Sequence, residues 1–293
     1  MKKNITRDFK ERLAAGDRVF CALIGPGNDP DKTTTALKEF GYDFIMMENE
    51  HSLLDKATIY EYIRACHELE LPLLMRPEEK TDTFRCYLDS GVNGMMLPQV
   101  DTVEQAAYGV KLSYFPPLGH RGAGLGMSPY LLDGQNPAEI RLLEMLQYVN
   151  SNTVLFPMTE SLEGVSNLHQ TLRLEGVTGT IVGTHDFVID IAFRTGRIDP
   201  NSFRPDLLNN EYVLDRVRKI AQICAEAGKV AGIGAYNPKG CLERSRDGYQ
   251  LFTLGYVIDG NVEKTRPLIT EVKDLLRKNP PEKTTLQKKC CSH

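Results

Sequence analysis

Phe44-Ile45-Met46-Met47-Glu48-Asn49-Glu50-His51 is an apolar run of strand length that stops abruptly at two carboxylates, an amide and a histidine, with Asp55 one turn further on. A parallel strand delivers such groups to the mouth of an α/β fold, because its interior is apolar and its carboxyl end opens into a loop. A surface loop after a core strand would read the same way in isolation, so the flanking sequence decides.

Outward from this run the chain alternates short β-type stretches with longer helical ones. Strands are predicted at Val19–Ile24, Leu71–Met75, Gly94–Leu97, Val154–Met158, Gly179–Gly183, Val230–Ile233 and Tyr249–Leu254. Between them fall helical periods such as Lys56–Leu69, Thr81–Ser90, Thr102–Lys111, Pro137–Asn150, Leu162–Leu174 and Glu211–Ala227. Repeated βα units of this kind predict a TIM barrel of eight parallel strands, with an extra N-terminal helix and an extended C-terminal helix, Val262–Lys278. A doubly wound open sheet is the alternative, but no strand leads into a GxGxxG turn. Without a linker-like shift in composition, residues 1–278 are expected to form a single domain and 279–293 a disordered polar tail. Two stretches break the rhythm. One is the Gly- and Pro-rich segment Tyr114–Gln135, which could cap a site or simply be flexible; the other is an irregular region from Thr184 through Pro205.

With 293 residues, 41% hydrophobic, the chain can bury a large core. A net charge of −4, with no basic stripe interleaved with aromatics, argues against nucleic acid as a partner. No apolar run approaches the roughly 20 residues of a membrane span, and Met1-Lys2-Lys3-Asn4 leads into a polar helix rather than a signal core. Seven scattered cysteines without a CxxC pair suit reduced thiols, so the expected setting is cytoplasmic. The ending Cys290-Cys291-Ser292-His293 is closer to a polar tail than to a prenylation signal, for which His is a poor last residue.

In a barrel, chemistry sits where strands finish. Those positions hold Glu48, Glu50 and His51; Arg76; Gln99 and Asp101; Thr159, Glu160, Ser161 and Glu163; and Thr184, His185 and Asp186. Glu160 and Asp186, on neighbouring strands, could share a hard divalent cation such as Mg²⁺ or Mn²⁺, although each alone could be an ordinary helix-start acid. Arg76 before Pro77 could hold a carboxylate or a developing enolate oxygen, or else form a rim salt bridge with Glu78 or Glu79. His51 could act as a base partnered by Asp89 or Glu48. His185 could be a third metal ligand, a second base or a helix cap.

Taken in order, several motifs resemble the HpcH/HpaI aldolase and citrate lyase family. They are Glu50-His51 with Asp55, Arg76-Pro77, Leu88-Asp89-Ser90-Gly91, Leu97-Pro98-Gln99-Val100-Asp101-Thr102, Pro116-Pro117-Leu118-Gly119-His120-Arg121-Gly122, Glu160-Ser161 and Gly183-Thr184-His185-Asp186. The resemblance runs from about Phe9 to Leu268 and implies a TIM barrel, commonly a homo-oligomeric hexamer with its last helix exchanged, carrying Mg²⁺, Mn²⁺ or Co²⁺. It implies Glu160 and Asp186 as metal ligands, Arg76 as the enolate partner, and His51 paired with Asp89 for proton movement through a water. Because Asp89 ends a helix, its part would require a neighbouring subunit.

The implied reaction is reversible cleavage of a 4-hydroxy-2-oxo acid to pyruvate and an aldehyde. This chain departs from the family pattern at three places. Glu48-Asn49-Glu50-His51 replaces Asp-Gly-Glu-His, Met158 replaces a glutamine, and Gly183-Thr184-His185-Asp186 replaces Gly-Pro-Ala-Asp. Gly183, Thr184, His185 and Met158 would then form an altered substrate-binding surface. That change makes an oxaloacetate-decarboxylating, carbon–carbon bond-forming enzyme the alternative, and a catalytically silent barrel used for binding a third.

Overall fold

A computed structural model describes residues 5–80, 85–124, 126 and 128–280. Eight strands form a closed, all-parallel barrel: β1 (Val19–Ile24), β2 (Phe44–Glu48), β3 (Leu73–Arg76), β4 (Gly94–Leu97), β5 (Val154–Thr159), β6 (Gly179–Val182), β7 (Val230–Gly234) and β8 (Leu251–Val257). The helices are α1 (Ile5–Ala14), α2 (Pro30–Phe40), α3 (Lys56–Glu68), α4 (Arg85–Ser90), α5 (Val103–Ser113), α6 (Leu142–Ser151), α7 (Leu162–Arg173), α8 (Thr184–Thr195), α9 (Arg204–Leu208), α10 (Glu211–Ala227), α11 (Pro238–Asp247) and α12 (Thr265–Lys278).

The alternation of side chains along a strand sorts the core into two apolar layers. Cys21, Leu23, Phe44, Met46, Leu74, Met96, Phe156, Met158 and Ile181 belong to the cluster that fills the barrel, whereas Phe20, Ala22, Ile45, Met47, Leu73, Met75, Met95 and Leu97 pack outward against the helices. Helix α1 plugs the bottom of the barrel. Phe9 and Leu13 join the interior cluster, the Phe9 and Phe44 rings lie 5.1 Å apart, and Gln250 donates to the Leu13 carbonyl at 2.9 Å. The expected N-terminal helix therefore closes the end opposite the mouth.

Several boundaries follow from local capping. Asp29, Asp55, Ser161 and Asn237 cap the helices after them, and Thr102 forms a capping box with Gln105. Asp55 is thus an exposed helix cap, engaged with Ala57, Thr58 and the Thr58 hydroxyl. The helix expected over Thr81–Ser90 is seen from Arg85 onward, its first four residues lying outside the described ones. The helix expected over Pro137–Asn150 is divided into a 3-10 turn, Pro137–Glu139, and α6, with extended backbone at Ile140 and Arg141 between them. The region read as irregular after Gly183 holds α8 and α9.

Helix α12 packs on α11, β8 and α2 of its own barrel, with Ile269 and Val272 fully buried. In the single chain this last helix covers its own barrel. The segment after Tyr114 turns away from the mouth. Phe115, Leu132, Met145 and Val149 form a separate apolar cluster there, and none of its described residues lines the mouth cavity. No helix among the described residues is long and apolar enough to cross a membrane. The tail from residue 281, with Cys290 and Cys291, lies outside the described residues.

Candidate active site

The mouth of the barrel holds a cavity of about 410 Å³. Strand parity explains its contents. Inward positions run 44, 46, 48 on β2, 74, 76 on β3 and 154, 156, 158 on β5, so Glu48, Arg76 and Glu160 are the next inward side chains at the carboxyl ends. Glu48 and Arg76 are also register partners across the β2–β3 ladder, and their side chains form an ion pair. The second guanidinium nitrogen of Arg76 lies 3.2 Å from Glu50. The rim pairing with Glu78 or Glu79 does not form; Glu78 instead accepts from Tyr87 and Asn49.

Glu48 is held by its own surroundings through both oxygens, one by hydrogen bonds and one by an ion pair. One oxygen accepts from the backbone N–H groups of Glu50 and His51 at 2.9 and 3.0 Å, and the other faces Arg76. Its part is to hold the guanidinium and the following turn, leaving the free face of Arg76 to the cavity. His51 lines the same cavity, half exposed, 3.5 Å from Glu50.

Glu160 is 4% exposed and lies across the cavity. One oxygen accepts from the Gln99 N–H at 2.6 Å. Gln99 aims that N–H from a left-handed backbone, φ 50°, a conformation costing on the order of 1 kcal/mol for a residue with a side chain. The other oxygen hangs over Gly183, where a Cβ would fall 1.9 Å from it. Any side chain at Gly183 would displace the carboxylate. Burial, with Glu50 and Asp186 nearby, pushes the Glu160 carboxyl up to about 7, against the opposing pull of the Gln99 N–H and Arg76. Burial likewise raises Glu50, with Arg76 and His51 opposing.

Three acids thus converge on a site whose fixed cation is already engaged by Glu48 and Glu50. A hard divalent cation suits this donor set, since it would offset the burial, and the lesser repulsion from Glu50 and Asp186, that make Glu160 hold its proton. Among the described residues no group of three or more His, Cys, Asp or Glu could hold a metal. Glu160 and Asp186 would therefore supply two carboxylates, and water or substrate oxygens the remaining positions.

Asp186 lies in the first turn of α8, whose N-cap is Gly183 rather than Asp186. His185 is neither a cap nor directed to the acids. Its ring packs on Tyr236 at 5.0 Å between centroids and meets the Arg204 guanidinium, whose Nη2 lies 2.6 Å from Nδ1. Burial and Arg204 push the imidazole below its ordinary range, which leaves a neutral ring able to accept from Arg204. Thr184 shares a 2.6 Å hydrogen bond with the Tyr236 hydroxyl, whose phenol is pushed up to about 12 by burial. Met158 is a buried side chain lining the cavity beside Glu160.

Asp89 is not brought to the mouth. It pairs with the buried Arg121, which also lies over the Phe115 ring at 4.8 Å, and Gly124 leaves the room that Asp89 occupies. Within one chain it does not contact His51.

Tyr236, Tyr256 and Arg204 were not singled out from the sequence. Tyr236 lies two residues past β7 and follows from the strand-end rule applied to that strand. Tyr256 required more. The β1–β8 register slips between Cys21↔Thr253 and Leu23↔Tyr256, a bulge at Leu254 and Gly255 that brings Tyr256 to the mouth instead of its neighbour.

The family model for HpcH/HpaI aldolase/citrate lyase matches residues 22–251. The 2-keto-3-deoxy-L-rhamnonate aldolase of Escherichia coli (strain K12 / DH10B) is 26% identical over 243 residues, covering 81% of this chain and 82% of the relative. Among solved structures, an HpcH/HpaI aldolase from Desulfitobacterium hafniense DCB-2 superposes with a TM-score of 0.74 at 21% identity, over 92% of this chain and 97% of that one. Macrophomate synthase superposes with a TM-score of 0.68 at 18% identity, over 94% and 89% of the two chains. These two structures share the barrel fold, and the family match spans most of its strands: the chain is an enzyme of the HpcH/HpaI aldolase/citrate lyase family.

Proposed function

We propose that this enzyme catalyses reversible aldol cleavage of a 4-hydroxy-2-oxo acid to pyruvate and an aldehyde, through a pyruvate enolate. The observation that carries this reading is the convergence of Glu160, Asp186 and Arg76 on one cavity, with Glu50 behind Arg76 and Glu160 pushed up to about 7 chiefly by burial. Glu160 and Asp186 would hold Mg²⁺, Mn²⁺ or Co²⁺. When bound, such a cation supplies Lewis acidity toward the carboxylate and keto oxygens of a 2-oxo acid.

The chain's own residues do the rest. Arg76, set by its register with Glu48, meets negative charge as it develops on the enolate oxygen. The N–H groups at the start of α8 face the same region and favour an anion there. His51, beside Glu50 at the cavity rim, takes the proton from the C4 hydroxyl through a water and returns it in the addition direction. Asp89 would join His51 only from a second copy of the chain, in a homo-oligomer.

The test uses chelator-stripped protein with and without Mg²⁺, Mn²⁺ or Co²⁺. Exchange of the pyruvate methyl protons for deuterium reads enolate formation alone, and release of pyruvate from oxaloacetate reads decarboxylation. Metal-restored exchange, absent from Glu160→Gln, supports the enolate site. No exchange with any metal overturns it, and fast release from oxaloacetate with no aldol cleavage would favour the decarboxylating alternative.

A further inference from the structure

Beside the mouth lies a second, larger chamber of about 720 Å³, between the β7 end, α9 and α10. The two spaces adjoin, since Thr184, His185, Gly234, Tyr236 and Tyr256 line both. A volume in this range accommodates a ligand far larger than a two- or three-carbon aldehyde. Most of one wall is apolar, built from Pro205, Leu208, Val213, Leu214 and Ile233.

The charge in the chamber is unbalanced. Arg204 lines it and has no carboxylate partner among the described residues; its guanidinium rests on the His185 ring. The chamber's carboxylate, Glu243, faces Lys239 at 3.8 Å. Arg244 pairs with Asp247 at 3.0 Å, yet its Nη1 is buried without a hydrogen-bond partner. A planar guanidinium parked on an imidazole at the junction of two cavities can turn to a carboxylate with little rearrangement, gaining a charge-assisted, bidentate pair.

We propose that this chamber is the acceptor subsite, and that it takes an aldehyde with a bulky apolar or aromatic body and a carboxylate that Arg204 binds. This rests on the enolate-forming reading above. In the addition direction C3 of the enolate forms the new bond to the aldehyde carbon, the carbonyl π pair moves to oxygen, and that oxygen takes a proton from water; no oxidant or reductant enters. The Thr184–Tyr236 hydroxyl pair stands where the carbonyl would pass from chamber to mouth.

Two measurements test it. The first compares 4-carboxybenzaldehyde with 4-methylbenzaldehyde as acceptors for pyruvate in the Mn²⁺-loaded enzyme. The expected acid-over-neutral ratio in kcat/KM is about tenfold or more, collapsing toward one in Arg204→Gln through a higher KM for the acid, and partly restored in Arg204→Lys. The second is calorimetric binding of unreactive 4-(hydroxymethyl)benzoate against 4-methylbenzyl alcohol. It needs no turnover, so it judges the chamber even if deuterium exchange into pyruvate fails and removes the enolate reading. Tighter binding of the acid that is lost in Arg204→Gln supports the subsite. Equal binding of acid and alcohol, or a preference that Arg204→Gln leaves intact, overturns it.

Discussion

The two halves of the barrel mouth are built on different rules. Around β2, β3 and β5 the functional groups are continuations of strand parity: Glu48, Arg76 and Glu160 are held by register, by backbone N–H groups and by each other, and are largely buried. Around β6, β7 and β8 the groups come from a helix start, a short helix and a bulge, and Arg204, Tyr236 and Tyr256 are partly or wholly exposed. The first half is rigid and charged, suited to stabilising one enolate. The second is roomier and adaptable, suited to selecting what that enolate meets.

The sharpest way to break this division is at Arg76. Arg76→Met removes the only guanidinium facing Glu48 and Glu50 among the described residues, leaving the buried Glu48 with backbone N–H partners alone and the half-buried Glu50 with His51 alone. Turnover is expected to fall by about 10²- to 10³-fold, with a stability loss of roughly 3–5 kcal/mol seen as a lower denaturation midpoint. Activity within tenfold of the wild type would remove Arg76 from the chemistry.

Gly183→Ala acts on Glu160 without touching its charge. With a Cβ placed 1.9 Å from the carboxylate oxygen, the acid must leave its present position. Affinity for Mn²⁺ is expected to weaken by about 10- to 100-fold, read by titration against a chelating dye. Unaltered affinity would show that Glu160 is not a ligand.

The acids also leave a signature in the metal-free protein. Glu160 titrates near 7 folded and near its ordinary 4.5 unfolded, so the folded state holds the proton more tightly. Its contribution is fully present below pH 4.5, declines as pH rises, and is lost above pH 7. The swing is ~3 kcal/mol, by the usual conversion of pKa difference to free energy. Chelated wild type should therefore lose stability between pH 5 and 7.5 relative to Glu160→Gln, which lacks the titration, and added Mn²⁺ should restore stability at the upper end. Parallel stability curves for the two proteins would contradict the proposed cause.

The same division governs how much could be read from sequence. The eight strands, the N-terminal helix and the strand-end positions of Glu48, Arg76 and Glu160 follow from period and punctuation, because parity carries an inward position past the last apolar residue; Asp186 follows only as an acid soon after β6, in the first turn of α8. The other half resisted for physical reasons. Helix α8 starts at Thr184 after the N-cap Gly183, which has no side chain to cap with, and Ile189 and Phe193 are apolar yet exposed, so the contrast between its faces is weak. Tyr256 reaches the mouth through a bulge that shifts parity by one residue. Arg204 finds His185 across 19 residues by tertiary placement alone. Asp89 was legible as an acid at a helix end, but its partner Arg121 lies in the segment that could only be read as a loop.

The smallest expected effect sits on the boundary between the halves. Tyr236→Phe removes one hydroxyl from the pair with Thr184 and leaves the ring packed against His185. A single lost hydrogen bond of about 1 kcal/mol corresponds to roughly a fivefold change. If the hydroxyl pair serves the acceptor side, that factor should fall on the KM for the aldehyde in the addition reaction. If it falls instead on deuterium exchange into pyruvate, with acceptor KM unmoved, the pair belongs to the enolate half. The boundary would then run between Tyr236 and Arg204 rather than between β5 and β6.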